Sequence, residues 1–187
     1  MKVGTNGWVS GMRRLPSPNC DSRPAGTAID LLVIHNISLP PGAFGGQAVE
    51  KLFTNTLDTD AHSYYAQLKG VKVSAHFLIQ RTGGIIQFVP CNKRAWHAGV
   101  SAWRGRAACN DFSIGVELEG TDFLPFSDQQ YAALIRLTRV LKRVYPVRDT
   151  VGHSDIAPGR KTDPGHEFDW SRYLARDCLK VSRKGDM

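Results

Sequence analysis

Three residues far apart in the chain have the chemical types of one metal site: His35, His153 and Asp163. His35 closes the apolar run 31–34, where a buried strand would deliver a polar side chain at its carboxyl end. His153 and Asp163 bracket residues 152–165, a stretch rich in Gly and Pro that reads as irregular. Two imidazoles and one carboxylate supply zinc with three protein ligands and leave a fourth position open, the composition of a catalytic site. Ligands this far apart match no fixed spacing motif, so the set stands as a candidate. It points to a hydrolase.

A zinc hydrolase also needs a group to handle a proton and an electrophile for the developing oxyanion. Glu117 is the candidate base. In the alternating segment 113–119, Ile114, Val116 and Leu118 point one way, while Ser113, Gly115, Glu117 and Glu119 point the other. A carboxylate beside the small Gly115 could reach a cleft above the metal. Equally, Glu117 and Glu119 could be solvated residues on the wet side of an antiparallel sheet. Lys161 precedes Asp163 by two residues, one strand period, and could stabilise negative charge on a carbonyl oxygen. It could also be an exposed lysine in a basic loop. Of the remaining histidines, His62 reads as solvated, His76 as a core imidazole, and His166 as surface or supporting. His97, next to Trp96 and small residues, could join it in holding a sugar ring.

These residues need a sheet to hold them. The runs 74–80 and 85–89 flank Arg81-Thr82-Gly83-Gly84 and read as a hairpin. Residues 128–144 carry a helical apolar stripe that Ser127 or Asp128 can cap, and Pro146 ends it. A short helix is expected over 47–53, loops over 36–46 and 58–70, a weak strand over 147–152 and a terminal helix over 169–179. The fold class is α/β, mixed α+β: one domain with a central mixed sheet flanked by helices. Residues 1–26 read as an irregular arm packed on a domain spanning 27–180, with a tail at 181–187.

Composition narrows the function classes. The 187 residues are 42% hydrophobic and 22% charged, enough for one well-buried core. No apolar stretch is long enough to span a bilayer, and the amino terminus has no signal-peptide pattern. The four cysteines (Cys20, Cys91, Cys109, Cys178) show no metal or redox spacing, so free thiols in a reducing cytoplasm are expected. The net charge of +7 invites a nucleic-acid reading. The basic residues are dispersed with no aromatic interleaving, which disfavours it; a mildly basic surface equally suits a small polycarboxylate.

Five segments carry a resemblance: LLVIHN at 31–36, VSAHFLI at 73–79, RAWHAGVS at 94–101, CNDFSIGVELEGT at 109–121 and RKTDPG at 160–165. Together they resemble the AmpD family, cytosolic N-acetylmuramyl-L-alanine amidases that act on anhydromuropeptides in cell-wall recycling. The likeness runs from about residue 8 to residue 173. It implies one zinc per chain on His35, His153 and Asp163, Glu117 as acid/base and Lys161 at the carbonyl oxygen. It further implies Tyr64 in a mobile region beside the site, and Trp96 and His97 in the substrate groove. Relatives among phage lysozyme-type amidases and peptidoglycan recognition proteins share the fold but commonly use cysteine as third ligand; Asp163 fits the AmpD branch. Non-catalytic recognition proteins typically lose a ligand, and this chain keeps all three. Two positions depart from the family pattern: Gly159, where glutamate is usual, and Ala108, where a relative has an arginine for the substrate carboxylate. Arg106 is the nearby candidate to replace the latter. The implied partner is a small muropeptide for a cytoplasmic monomer, with no nucleic acid and no membrane, and an indirect role in β-lactamase regulation.

Overall fold

Bulky aliphatic side chains at four successive positions, 31–34, require cover on both sides of the backbone, and the fold supplies it. The computed structural model describes residues 1–177. Its strands are β1 (Arg13–Arg14), β2 (Cys20–Ser22), β3 (Leu31–Ile37), β4 (Phe77–Ile79), β5 (Ile85–Gln87), β6 (Lys93–Ala95), β7 (Ala102–Trp103), β8 (Arg106–Ala107), β9 (Ser113–Glu119) and β10 (Asp149–Gly152). Its α-helices are α1 (Ala48–Phe53), α2 (Asp128–Lys142), α3 (His153–Ile156) and α4 (Trp170–Asp177). The expected terminal helix beyond residue 177, the tail at 181–187 and Cys178 lie outside the described residues. Among the described residues no helix is long and apolar enough to cross a membrane.

Six strands form one sheet in the order β1-β5-β4-β9-β3-β10. The β4–β5 hairpin is antiparallel and every other neighbouring pair is parallel, so the sheet is mixed. Gly83 makes the hairpin turn at φ +80, and a Cβ there would sit 2.8 Å from the Gln129 carbonyl oxygen. Glycine meets both demands.

One face of β3 and β9 presents Leu32, Ile34, Ile114, Val116 and Leu118 to α2 and α4, whose Leu134, Leu137, Leu141 and Tyr173 complete a buried cluster. Helix α2 begins at a reciprocal capping box between Ser127 and Gln130, which satisfies two amide groups at that end. On the opposite face, Leu52 and Phe53 of α1 pack with Leu78, Ile86 and Phe88. A third cluster of Leu31, Val33, Phe112, Val151 and Ile156 covers the amino-terminal half of the central strands.

Three features differ from the sequence expectations. Residues 63–68 form a 3₁₀ turn inside the expected 58–70 loop. His153 opens a helical turn inside the stretch expected to be irregular. The amino-terminal segment also enters the main sheet: β1 pairs with β5, and Val9 is fully buried with its amide donating to Gln87 Oε1 at 2.7 Å. Beyond it, the Arg23 guanidinium donates to the carbonyls of Cys91, Asn110, Asp111 and Ser113 at 2.7–3.3 Å. Burial lowers its pKa to about 10.

Candidate metal centre

Strand register assembles the site. In the parallel β3–β9 pair, His35 stands directly beside Glu117, and Gly152 of β10 stands beside Ile34. His153 follows Gly152, so three adjacent strands bring His35, Glu117 and His153 to one level at their carboxyl ends. Parallel neighbours in register project to the same face about 4.8 Å apart. The loop after α3 returns Asp163 over the same level, anchored by its carbonyl accepting from the Ser154 amide at 2.9 Å.

The ligand atoms converge. His35 Nδ1 lies 3.0 Å from both His153 Nδ1 and Asp163 Oδ2, and His153 Nδ1 lies 3.1 Å from the same Oδ2. The far side of each ring is engaged as well. His153 Nε2 faces the Ala98 carbonyl oxygen at 3.0 Å and must donate to it. His35 Nε2 faces His97 Nδ1 at 2.9 Å, and His97 Nε2 faces Ser113 Oγ at 3.1 Å. In the tautomers with Nε2 protonated on both rings, two imidazole lone pairs and a carboxylate oxygen face one another. Such a cluster suits a cation: a tetrahedron with bonds of about 2.1 Å has edges of roughly 3.4 Å, close to these separations.

Electrostatics favours a neutral His35 and an ionised Asp163. Burial lowers the pKa of His35 against the opposing pull of Asp163. For Asp163 burial would raise the carboxyl, but the His153 and His35 rings against its Oδ2 outweigh it and hold the group well below the usual carboxylate range. Metal binding requires these forms.

Glu117 is buried, 8% exposed, and its Oε2 has no hydrogen-bond partner. Burial pushes its carboxyl well above the ordinary range; the Asp163 charge adds to this and Lys161 opposes it. All seven residues of β9 are buried, so the wet-face alternative for Glu117 and Glu119 does not hold. Loops and imidazoles cover that face instead. Glu119 is occupied structurally, accepting from the amides of Gly45 and Arg81 at 2.6 and 3.0 Å.

A cleft of about 840 Å³ opens over these strand ends, lined by His35, Glu117, His153, Lys161, Asp163, Tyr64, Trp96 and His97. The fold therefore brings eight of the nine expected site residues together. Lys161 is exposed at the rim, and Tyr64 and Trp96 are half-buried in the walls. His97 does not simply flank the groove; its ring is bonded to His35. Arg106 is the exception. It lies at the amino-terminal end of the sheet, paired with Asp30 at 2.7 Å and stacked 3.6 Å over the Phe112 ring. Asp30 precedes β3 and His35 comes five residues later, roughly 16 Å along an extended chain. Among the cleft's lining residues, Arg160 and Lys161 are basic. Gly159 sits at φ +75, where glycine is at ease, and Ala108 at φ 58.

Asp122 is a residue that sequence reasoning missed. Its carboxylate accepts from Asn36 Nδ2 at 2.6 Å and Thr162 Oγ1 at 2.5 Å. It thereby joins the neighbour of His35 to the neighbour of Asp163. No periodicity or motif marks it, because the link spans chain segments far apart.

Comparison with known proteins agrees with this geometry. Residues 25–166 match the N-acetylmuramoyl-L-alanine amidase family profile. The 1,6-anhydro-N-acetylmuramyl-L-alanine amidase AmpD of Escherichia coli K12 is 56% identical over 169 residues, covering 89% of this chain and 92% of that protein. A crystal structure of an AmpD selenomethionine derivative superposes with a TM-score of 0.92 at 53% identity, covering 94% of this chain and 99% of that one. The Escherichia coli amidase AmiD, in complex with anhydro-N-acetylmuramic acid-L-Ala-D-γ-Glu-L-Lys, is 35% identical with a TM-score of 0.58; the match covers 82% of this chain and 60% of that one. With its fold and the greater part of its length shared, this chain belongs to the N-acetylmuramoyl-L-alanine amidase family.

Proposed function

We propose that this protein hydrolyses the amide between the lactyl group of 1,6-anhydro-N-acetylmuramic acid and L-alanine in anhydromuropeptides. The observation that carries the reading is the pairing of His35 and Glu117 on adjacent strands, with Asp163 and His153 closing on the same point. His35 Nδ1, His153 Nδ1 and Asp163 Oδ2 would hold one zinc ion. When bound, zinc supplies Lewis-acid polarisation of the scissile carbonyl and acidifies water at the open position.

The Glu117 carboxylate, which lines the cleft, accepts the proton of the attacking water. The water oxygen bonds to the carbonyl carbon, the carbon–nitrogen bond breaks, and Glu117 returns the proton to the L-alanine nitrogen. Lys161 offsets the charge on the carbonyl oxygen in the tetrahedral intermediate. Trp96 and Tyr64 offer aromatic walls to the bicyclic sugar. The products are free 1,6-anhydro-N-acetylmuramic acid and the stem peptide. A recycled, low-molecular-weight substrate is consistent with a cytoplasmic enzyme working as a monomer.

Matched substrates test the assignment. Catalytic efficiency on an anhydromuropeptide should exceed that on the same peptide carrying reducing muramic acid at least tenfold, about 1.4 kcal/mol of transition-state discrimination. A chelator should abolish peptide release from both. Equal efficiencies would leave a general muramyl amidase, and chelator-insensitive release would remove the metal from the mechanism.

A further inference from the structure

We infer that His97 is a positioning residue for the metal centre, and that the dipeptide 97–98 orients both imidazole ligands at once. The inference rests on the reading of His35, His153 and Asp163 as ligands. With Nδ1 of each ligand ring turned to Asp163, each ring keeps one N–H on its far side. His35 sends that N–H to His97 Nδ1 at 2.9 Å, and His153 sends it to the Ala98 carbonyl oxygen at 3.0 Å. Two ligands that are 118 residues apart are thus aimed by two consecutive residues.

The dipeptide is itself held. Asn110 Oδ1 accepts from both of its amides, His97 N–H at 3.1 Å and Ala98 N–H at 2.9 Å. Arg160 Nη2 donates to the Ala98 carbonyl at 2.8 Å and to the Val100 carbonyl at 2.6 Å. The His97 ring has one available pose: Nε2 meets Ser113 Oγ, and the ring lies on Gly115, where a Cβ would fall 2.4 Å from His97 Cγ. Outer partners of this kind fix ligand tautomer and ring orientation, and their loss typically weakens metal affinity about 10- to 100-fold.

The test separates positioning from substrate contact. His97→Asn places an amide oxygen near the Nδ1 position and can still accept from His35; His97→Phe keeps a ring but accepts nothing. Zinc dissociation constants, measured by competition with a chromogenic chelator, should rise 10- to 100-fold in His97→Phe and stay within about threefold of wild type in His97→Asn. The visible spectrum of the cobalt-substituted protein should change in the first variant alone. Asn110→Ala leaves the ligands and their partners chemically intact and should also weaken zinc, which keeps the test open if His97→Phe does not fold. Unchanged zinc affinity in both His97→Phe and Asn110→Ala, with KM raised in the former, would overturn the inference and return His97 to the substrate groove. A wild-type protein that binds no zinc would instead sink the ligand assignment.

Discussion

The two faces of β3 and β9 do different work with alternate residues of the same strands. On one face Leu32, Ile34, Ile114, Val116 and Leu118 enter a dry cluster with α2 and α4. Each such side chain stabilises the fold by roughly 1.5–3 kcal/mol. On the other face His35, Ser113, Gly115 and Glu117 meet imidazoles and carboxylates, and Glu117 is buried with an unpartnered oxygen. That arrangement costs stability, because a buried polar group without a partner is unfavourable. A period of two allows one strand to hold both, so the apolar face stabilises the backbone that positions the strained polar one. Stability and chemistry should therefore be separable by substitution.

The largest effects belong to the polar face. His153→Ala should lose both zinc and amide hydrolysis while the protein stays folded, checked by metal analysis alongside circular dichroism. Full zinc occupancy in that variant would mean that other residues ligate. Glu117→Gln should retain zinc and reduce turnover by roughly two to four decades, the usual scale for loss of a general acid/base. Turnover close to wild type would make Glu117 a bystander of the cleft.

The apolar face should show the converse. Leu134 is fully buried between α2 and the sheet, so Leu134→Ala should lower unfolding free energy by about 2–5 kcal/mol. Zinc bound per folded chain and KM should not change. A drop in zinc affinity measured well below the unfolding transition would show that the two faces are coupled.

What was legible in the sequence follows the same division. The β4–β5 hairpin, the strand at 113–119 and helix α2 with its Ser127 cap were all readable, since turn chemistry, period and capping are local. The ligand types and Glu117 were readable as chemistry, and the family resemblance joined them. What covers the polar face was not. Alternation in 113–119 is the same whether the far side meets water or imidazoles, and here the cover comes from residues 97–98 and 160–163. His97 was legible as a groove residue, but its contact with His35 was not, because that contact depends on the path of a loop. Arg106 looked close to the site because it is near Ala108 in sequence, yet β8 leaves it at the opposite end of the strands, against Asp30. The amino-terminal segment hid its pairing because Arg13–Arg14 carries no apolar period; backbone hydrogen bonds and the carbonyl cage around Arg23 hold that region.

Neighbouring residues of β9 give the finest test of the division, because the substitutions differ by one position and point to opposite faces. Ile114→Val removes one methylene from the apolar cluster and should cost about 0.5–1.5 kcal/mol, with zinc affinity unaltered. Gly115→Ala adds one carbon under the His97 ring, within 2.4 Å of Cγ and 2.6 Å of Nδ1. No real Cβ tolerates that approach, so the ring must move or the strand must shift. Overpacking of this kind costs about 1–3 kcal/mol, comparable to the loss in Ile114→Val. The variants should part company in the metal: moving His97 removes the acceptor of the His35 N–H, so Gly115→Ala should bind zinc more weakly while Ile114→Val does not. Denaturant titration and zinc competition on the same two proteins measure both quantities. If Gly115→Ala loses stability and keeps wild-type zinc affinity, the ring does not orient His35; if Ile114→Val weakens zinc, the two faces of the strand do not act independently.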